Sequence, residues 1–198
     1  MIVLYMKSKN LKDLLENIEI LEVKGDLDRQ VAGLTFASGD VADDFIFFAL
    51  KGEKTDGHLY IDSAIENGAK IILCEDFPKN IKDEVVYIKV ESTQKALAFV
   101  ASNFYDNPSS KFKLIGVTGT NGKTTVATLL YNLFLKLGYK CGLISTVGDK
   151  VIDKDTMTKR ITFTTPDSIS LNKMFTEMRD AGCTYVFMEV SSHSLEFE

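Results

Sequence analysis

The sequence predicts an α/β protein in which a small α/β N-terminal domain precedes the first part of a second domain with a parallel sheet. Short runs of β-branched and aromatic residues alternate with stretches of helical periodicity, as in βαβ units. A glycine-rich turn at 116–125 also joins an apolar strand to an amphipathic helix. Turn-forming residues at 106–110 place the boundary between domains spanning 1–108 and 109–198.

Composition restricts the classes of protein to which the chain can belong. Its 198 residues carry a formal charge of −5, with 45% apolar and 26% charged residues, which is ordinary for a globular protein. No basic run, signal peptide or membrane-length apolar stretch is present, so we expect a cytoplasmic protein without nucleic-acid or membrane partners. We also expect a monomer. Cys74, Cys141 and Cys183 lie in apolar runs, which predicts buried free thiols.

Apolar periodicity and strand composition predict the element order of the first domain. Leucines and an isoleucine at helical spacing between residues 11 and 18 predict a helix over 8–20 with Ser8 or Asn10 as its N-cap. Strands are expected over 31–36, 44–50, 70–74 and 85–90, and a second helix from Ile61 to Gly68. A third helix follows Ser92, and its predicted inward-facing residues are Ala96, Phe99, Val100 and Phe104.

The second domain is predicted to begin with a strand at 113–117 and the helix that follows the glycine-rich turn. The predicted buried face of that helix is Val126, Leu129, Leu130, Leu133 and Leu137, and the helix ends at Gly138. A parallel strand at 139–144 and a surface loop or small hairpin at 149–158 come next. Thr165-Pro166-Asp167 then starts a helix with Thr165 as the cap, proline at N1 and an acid in the first turn, and the predicted buried stripe of that helix is Leu171, Met174, Phe175 and Met178. It ends at Gly182, before an apolar strand at 185–190.

The glycine-rich turn has the residues of a phosphate site. Glycines allow the backbone to point N–H groups at an anion, and the positive end of the following helix adds to the attraction. In such loops the residue types of Lys123 and Thr124 contact the β- and γ-phosphates and Mg²⁺, respectively. The match to the P-loop pattern is imperfect, since Val117 stands where a glycine is expected and Gly116 comes one place early. Gly119 partly compensates for the missing glycine at position 117. The alternative interpretation is a chance glycine turn before a helix.

Glu189 is the second informative residue, because it ends a long apolar strand. Ligands of parallel sheets bind beyond the carboxyl ends of the strands, so Glu189 is expected beside the glycine-rich turn, where a carboxylate suits Mg²⁺. The alternative is a solvent-exposed glutamate at a strand end. His58 and His193 are either site residues or histidines with local hydrogen bonds.

Several segments together resemble the Mur ligase family. In the second domain they are Gly-Thr-Asn-Gly-Lys-Thr-Thr at 119–125, Thr-Thr-Pro-Asp-Ser at 164–168 and Met-Glu-Val-Ser-Ser-His at 188–193. The first domain, with Ala-Leu-Lys-Gly-Glu-Lys-Thr-Asp-Gly-His at 49–58, is similar to the uridine-nucleotide domain of members that act on UDP-N-acetylmuramoyl-L-alanyl-D-glutamate. The chain differs from them at Ala37-Ser38-Gly39, where the family commonly has Asp-Ser-Arg.

The resemblance implies an ATP-dependent amide ligase of peptidoglycan precursor synthesis, with a P-loop parallel-sheet ATPase domain and with ATP and Mg²⁺ as cofactors. In this family a substrate carboxylate attacks the γ-phosphate, and the amine of an amino acid then displaces phosphate from the acyl phosphate. The implied partners are UDP-N-acetylmuramoyl-dipeptide and either L-lysine or meso-diaminopimelate. Alternatives are a nucleotide-binding module without ligase activity, a P-loop kinase, and a ligase of the folylpolyglutamate synthase type.

The resemblance also implies roles for individual residues. Those matched to ATP binding are Gly119, Thr120, Asn121, Gly122, Lys123, Thr124 and Thr125. Lys123 and Glu189 are the implied catalytic residues, and Thr124 and Glu189 the implied metal ligands. Those matched to substrate are Phe36, Ser38, Glu53, Lys54 and Thr55 for the uridine diphosphate end, and Thr164, Thr165 and Ser191 for the muramoyl-peptide end. Since members of the family have further domains, we expect the chain to be an N-terminal fragment that is inactive alone.

Overall fold

The protein forms two compact units, which comprise residues 1–104 and 105–198. The structure, a computed structural model, describes residues 8–52, 55–156 and 165–191. The division falls earlier than the predicted domain boundary at residue 108. The 3-10 turn Pro108–Lys111 contacts the last helix of the second unit, so the residues of the predicted linker pack with that unit.

The first unit is built on a five-stranded sheet. Its strands and helices are β1 Lys9–Asn10, α1 Leu11–Leu14, β2 Ile20–Lys24, β3 Gln30–Val31, β4 Gly33–Thr35, β5 Phe45–Phe48, α2 Ile61–Glu66, β6 Ile71–Cys74, β7 Val86–Val90 and α3 Thr93–Phe104. Strands β4, β5, β6 and β7 are parallel neighbours, and β2 pairs antiparallel with β7. Strands β1 and β3 form a separate two-stranded ladder. The βαβ pattern predicted from the sequence is confirmed.

Three details of the first unit differ from the prediction. The first helix is only α1, because Asn17 adopts a positive φ of 65° soon after it, and the following residues form β2, which was not predicted. The predicted cap is correct, since the Asn10 side chain accepts a hydrogen bond from the Lys12 N–H. The strand predicted at 31–36 is split between β3 and β4. Phe99 is 52% exposed, and Leu97 takes the predicted place of Phe99 on the buried face of α3.

The second unit has a five-stranded mixed sheet with helices on both faces. Its elements are β8 Lys113–Val117, α4 Lys123–Lys136, β9 Cys141–Ile144, β10 Lys150–Val151, β11 Lys154–Asp155, α5 Ser168–Asp180 and β12 Tyr185–Glu189. The strand order is β11-β10-β9-β12-β8, with β12 parallel to both β8 and β9. The hairpin β10–β11 confirms one of the two predictions for 149–158.

Alternate residues of β12 face the two helices of the second unit. Phe187 joins the cluster under α4, whereas Val186 and Met188 join the cluster under α5. The predicted stripe of α5 is confirmed, because Met174, Phe175 and Met178 are buried there. The start of α5 is corrected: Asp167, and not Thr165, is the N-cap, since the Asp167 carboxylate accepts from the Ser170 N–H.

The buried face of α4 was predicted wrongly at four of its five residues, and of these five only Leu130 packs against the cluster beneath the helix. Leu129 and Leu133 are 62% and 51% exposed, and Val126 and Leu137 are exposed as well. Ala127 and Tyr131 are buried on the sheet instead, with Phe134 packed beside them. The helix has apolar residues on two faces. The face that carries Phe134 packs on the sheet, because the Phe134 ring contacts the rings of Tyr185 and Phe187 in β12.

The predicted state of the cysteines is confirmed. Cys74, Cys141 and Cys183 are buried free thiols. Burial raises the pKa of Cys74 to about 12 and that of Cys141 to about 11, so these thiols stay protonated and inert. Among the described helices, none is long and apolar enough to cross a membrane.

Candidate functional site

The glycine-rich loop lies between the carboxyl end of β8 and the N-terminus of α4. Gly119 and Gly122 have φ values of 139° and 82°, a region that other residues rarely adopt, so the path of the loop depends on glycine at both places. Gly122 is the N-cap of α4 and contributes no capping side chain. The first N–H groups of this helix are therefore available to an anion. The Lys123 ammonium donates to the Gly119 carbonyl oxygen over 2.7 Å, across the loop.

Glu189 lies beside this loop, as the sequence predicted. It ends β12, where it is paired with Val117 of β8, and only 1% of its surface is exposed. The Thr124 hydroxyl donates to Glu189 Oε2 over 3.0 Å. The alternative of a solvent-exposed glutamate is wrong. A carboxylate buried to this degree requires hydrogen-bond donors or a cation, and Thr124 supplies one donor from the first turn of α4.

Thr146 is a residue of the site that the sequence analysis missed. Its backbone N–H donates to Glu189 Oε1 over 2.8 Å, and its hydroxyl lies 3.3 Å from the same oxygen. Its position could have been inferred, because Thr146 follows the parallel strand β9 and so lies at the same carboxyl edge as Glu189. No recognisable motif surrounds Thr146, so the sequence alone does not mark it as a site residue.

These groups line a cleft of about 330 Å³. Its lining residues are Thr120, Asn121, Gly122, Lys123, Thr124, Thr146, Glu189 and Ser191. Of the residues matched to ATP binding, Thr125 is exposed on α4 outside this lining. The cleft combines loop N–H groups, one ammonium, four hydroxyls, one side-chain amide and one carboxylate. This donor set fits the phosphates of a nucleotide together with a hard cation such as Mg²⁺.

The metal chemistry of the cleft depends on few protein groups. Within the described residues, no group of three or more histidine, cysteine, aspartate or glutamate side chains could hold a metal. Mg²⁺ keeps several waters and binds through one or two carboxylates together with phosphate oxygens. Glu189 and the Thr124 hydroxyl therefore fit a cation that arrives with a nucleotide, and the geometry does not suit an all-protein metal site.

Thr165 and Ser191, two residues matched to the muramoyl-peptide end, lie together. The Ser191 N–H donates to Thr165 Oγ1 over 3.1 Å, and the two hydroxyl oxygens are 3.4 Å apart. Ser191 also lines the cleft. The hydrogen bonds of this pair join the segment that precedes α5 to the segment that follows β12, beside the candidate phosphate site. Thr164 lies outside the described residues.

Three of the residues matched to the uridine diphosphate end lie at the carboxyl edge of the first sheet. Phe36 and Ser38 follow β4, and they are partly exposed. The exposed Thr55 belongs to the loop that follows the neighbouring parallel strand β5. Glu53 and Lys54 lie outside the described residues. The positions of Phe36, Ser38 and Thr55 agree with the rule that ligands bind where parallel strands end.

His58 has local hydrogen bonds that account for it without a ligand. Its Nε2 accepts from the N–H groups of Glu75 and Asp76 over 2.9 and 3.2 Å, so the proton of the neutral ring lies on Nδ1, 2.6 Å from Asp56 Oδ1. The hydrogen bond from the His58 backbone N–H lowers the pKa of Asp56. His58 thus ties the loop after β5 to the loop after β6. His193 lies outside the described residues.

Two family profiles match successive parts of the chain. The profile of the Mur ligase family catalytic domain matches residues 30–105. The profile of the Mur ligase middle domain matches residues 117–198. The first match covers the four parallel strands of the first unit's sheet, and the second match covers the residues that line the cleft.

Individual Mur ligases are also similar to this chain. A UDP-N-acetylmuramoyl-L-alanyl-D-glutamate--2,6-diaminopimelate ligase from Phocaeicola vulgatus is 48% identical over 93% of this chain, which spans 38% of that protein. A solved ligase of the same name matches 96% of the chain and 37% of its own length, with a TM-score of 0.74 and 22% identity, and so shares the fold. The MurF ligase from Thermotoga maritima in complex with ADP matches 80% of the chain and 32% of its own length, with a TM-score of 0.51 and 26% identity. The chain therefore spans well under half the length of these relatives.

Proposed function

Because the two matched stretches make up most of its length, this chain belongs to the Mur ligase family, and we propose that it carries the nucleotide-binding and substrate-binding parts of an ATP-dependent amide ligase. The relatives named as 2,6-diaminopimelate ligases favour UDP-N-acetylmuramoyl-L-alanyl-D-glutamate as the acceptor and meso-diaminopimelate, ahead of L-lysine, as the added amino acid. Such a reaction serves peptidoglycan precursor synthesis in the cytoplasm.

The chemistry proposed for the cleft is stabilisation of negative charge. Transfer of a phosphoryl group to a substrate carboxylate, and displacement of phosphate by an amine, both build up charge on oxygen. The Lys123 ammonium leaves the Gly119 carbonyl to contact the β- and γ-phosphates, which the loop N–H groups also bind. Mg²⁺, when bound, neutralises charge on the phosphate oxygens. Thr124 and Glu189 would hold it, directly or through water.

Substrate binding is proposed at two places. Thr165 and Ser191 bind the muramoyl-peptide end, because their paired hydroxyls lie beside the phosphate cleft, where the substrate carboxylate must arrive. Phe36, Ser38 and the loop that contains Thr55 bind the uridine diphosphate end. Ala37 and Gly39 carry no charge, so the loop after β4 contacts this end through hydrogen bonds and the Phe36 ring.

The convergence of Lys123, Thr124 and Glu189 on one cleft is the observation that carries the proposal. A nucleotide-binding regulator would share that cleft, whereas a ligase needs a second ligand as well. The test is therefore isothermal titration of the 198-residue chain with UDP-N-acetylmuramoyl-L-alanyl-D-glutamate, with CDP as the control ligand. We expect saturable heat with the UDP-linked ligand in the absence of Mg²⁺ and none with CDP. The Ser38→Ala variant should bind more weakly.

A second titration separates the ligase from its alternatives. If the chain binds ADP but gives no heat with the UDP-linked dipeptide, it is a nucleotide-binding module and the ligase assignment is wrong. If it binds neither ligand, the assignment of both sites is wrong. Binding of both ligands by one chain is the result that the ligase requires.

A further inference from the structure

We propose that Thr146 is a positioning residue that holds the Glu189 carboxylate in the orientation required by a Mg²⁺-bound nucleotide. The proposal rests on the proposed function, since it concerns the nucleotide assigned to the cleft. Thr146 lies outside the sequence segments that resemble the family, and it contacts Glu189 from a different element than Thr124 does. Its assignment therefore comes from the geometry of the site.

Two groups of Thr146 act on the same carboxylate oxygen. The backbone N–H donates to Glu189 Oε1 over 2.8 Å, and the hydroxyl lies 3.3 Å from it. The backbone N–H is fixed by the chain and keeps Glu189 Oε1 at the turn, and the hydroxyl bond to the same oxygen limits rotation of the carboxylate about its last bond. Glu189 Oε2 is then left facing the Thr124 hydroxyl, 3.0 Å away, at the cleft. Thr146 thus sets which carboxylate oxygen is presented to the candidate metal site.

The turn that carries Thr146 is itself held in place. The Ser145 N–H donates to Asp149 Oδ1 over 3.0 Å, and the Ser145 hydroxyl donates to the Gly148 carbonyl oxygen over 2.9 Å. The Gly148 N–H donates back to the Ser145 carbonyl oxygen over 3.1 Å. These bonds close the turn between β9 and β10 without using the glycine-rich loop. Glu189 Oε1 is therefore held by a turn of the sheet, whereas Oε2 is contacted from α4.

The two threonine hydroxyls of the site are also neighbours. Thr146 Oγ1 lies 3.1 Å from Thr124 Oγ1, and each hydroxyl contacts a different oxygen of Glu189. A hydroxyl that binds a cation through its oxygen still has a proton to donate, and Glu189 Oε2 is positioned to accept it from Thr124. Loss of the Thr146 hydroxyl would let the carboxylate rotate about its last bond, and this would weaken the hydrogen bond from the Thr124 hydroxyl to Glu189 Oε2.

Titration of the full chain with ADP, with and without Mg²⁺, tests the proposal. Thr146→Val keeps the size and the backbone N–H but removes the hydroxyl, and Thr146→Ser restores it. Thr176→Val is the matched control, because the Thr176 hydroxyl donates to the Asn172 carbonyl oxygen within α5. In Thr146→Val we expect the gain in ADP affinity from Mg²⁺ to fall roughly tenfold, as for groups that orient a metal ligand. Metal-free ADP binding should stay unchanged, and Thr146→Ser and Thr176→Val should match the wild type.

The outcomes separate this proposal from the proposed function. If Thr146→Val keeps the full Mg²⁺-dependent gain, the Thr146 hydroxyl does not position Glu189 and the proposal is wrong, while the nucleotide site stands. If Thr146→Val weakens ADP binding equally with and without Mg²⁺, or if Thr146→Ser fails to rescue it, the residue supports the fold of the loop and the proposal is wrong. If the wild-type chain binds no ADP under either condition, the proposed function fails, and this proposal fails with it.

Discussion

The Thr124 hydroxyl and the Glu189 carboxylate lie 3.0 Å apart, although 65 positions separate them in the chain. The contact joins the first turn of α4 to the end of β12. It exists because β12 lies between β8 and β9, so that the carboxyl end of the central parallel strand meets the loop that leaves its neighbour. The candidate metal site is therefore a consequence of strand order.

Replacement of Glu189 by glutamine should remove the effect of Mg²⁺ while leaving the fold intact. Glutamine keeps an oxygen for the Thr146 N–H, and its amide can donate to the Thr124 hydroxyl, which can rotate to accept. The negative charge that a hard cation requires is lost. We expect unchanged or slightly higher thermal stability without ligand, and no gain in ADP affinity from Mg²⁺. Calorimetry and ADP titration check both results. Lower stability with a normal Mg²⁺ effect would make Glu189 a structural residue.

Two leucine substitutions test the exposed face of α4. Leu129→Ala should change the free energy of unfolding by no more than about 0.5 kcal/mol, because the side chain is 62% exposed. Leu143→Ala, in β9 beneath the same helix, should cost about 2–5 kcal/mol, since it leaves a cavity among buried side chains. Urea unfolding of both variants is the measurement. Equal losses for the two would mean that Leu129 is covered in solution.

The periodicity of apolar residues in α4 did not determine which face of this helix is buried. Loop and strand positions followed from the sequence, because glycines at 119 and 122 and the apolar run before Glu189 leave few alternatives. The buried face of α4 did not follow, since leucines and aromatic residues form two separate apolar stripes on it. Packing against Tyr185 and Phe187 decides between them, and those residues lie far along the chain. Thr146 carries no motif of its own, and only its contact with Glu189, 43 positions along the chain, identifies it as a site residue.

A pH-dependent contribution to stability is predicted for Glu75. Burial acts to raise its pKa, but hydrogen bonds from the Thr93 backbone and the Lys51 side chain outweigh burial, so the pKa lies below its usual value of 4.5. A lowered pKa in the folded state stabilises the protein at neutral pH, and this contribution disappears as the pH falls through that pKa. We expect Glu75→Gln to cost about 1 kcal/mol at neutral pH and nothing in strong acid.

Urea unfolding of Glu75→Gln beside the wild type, at neutral pH and in acid, measures this contribution. Glu66→Gln is the control, because Glu66 is exposed on α2. The control should match the wild type under both conditions. A loss in Glu75→Gln that persists unchanged in acid would show that the amide, and not the missing charge, causes the destabilisation.

Titration of the chain with ADP in the presence of Mg²⁺, comparing Lys123→Ala with Lys136→Ala, tests the central claim most directly. Both lysines belong to α4, but Lys123 lines the cleft in the first turn, whereas Lys136 is exposed in the last. The account predicts that Lys123→Ala weakens ADP binding by roughly tenfold or more, because a charge-assisted phosphate contact is lost, while Lys136→Ala binds as the wild type does. Wild-type affinity in Lys123→Ala, or an equal loss in both variants, would contradict the assignment of the cleft as a nucleotide site.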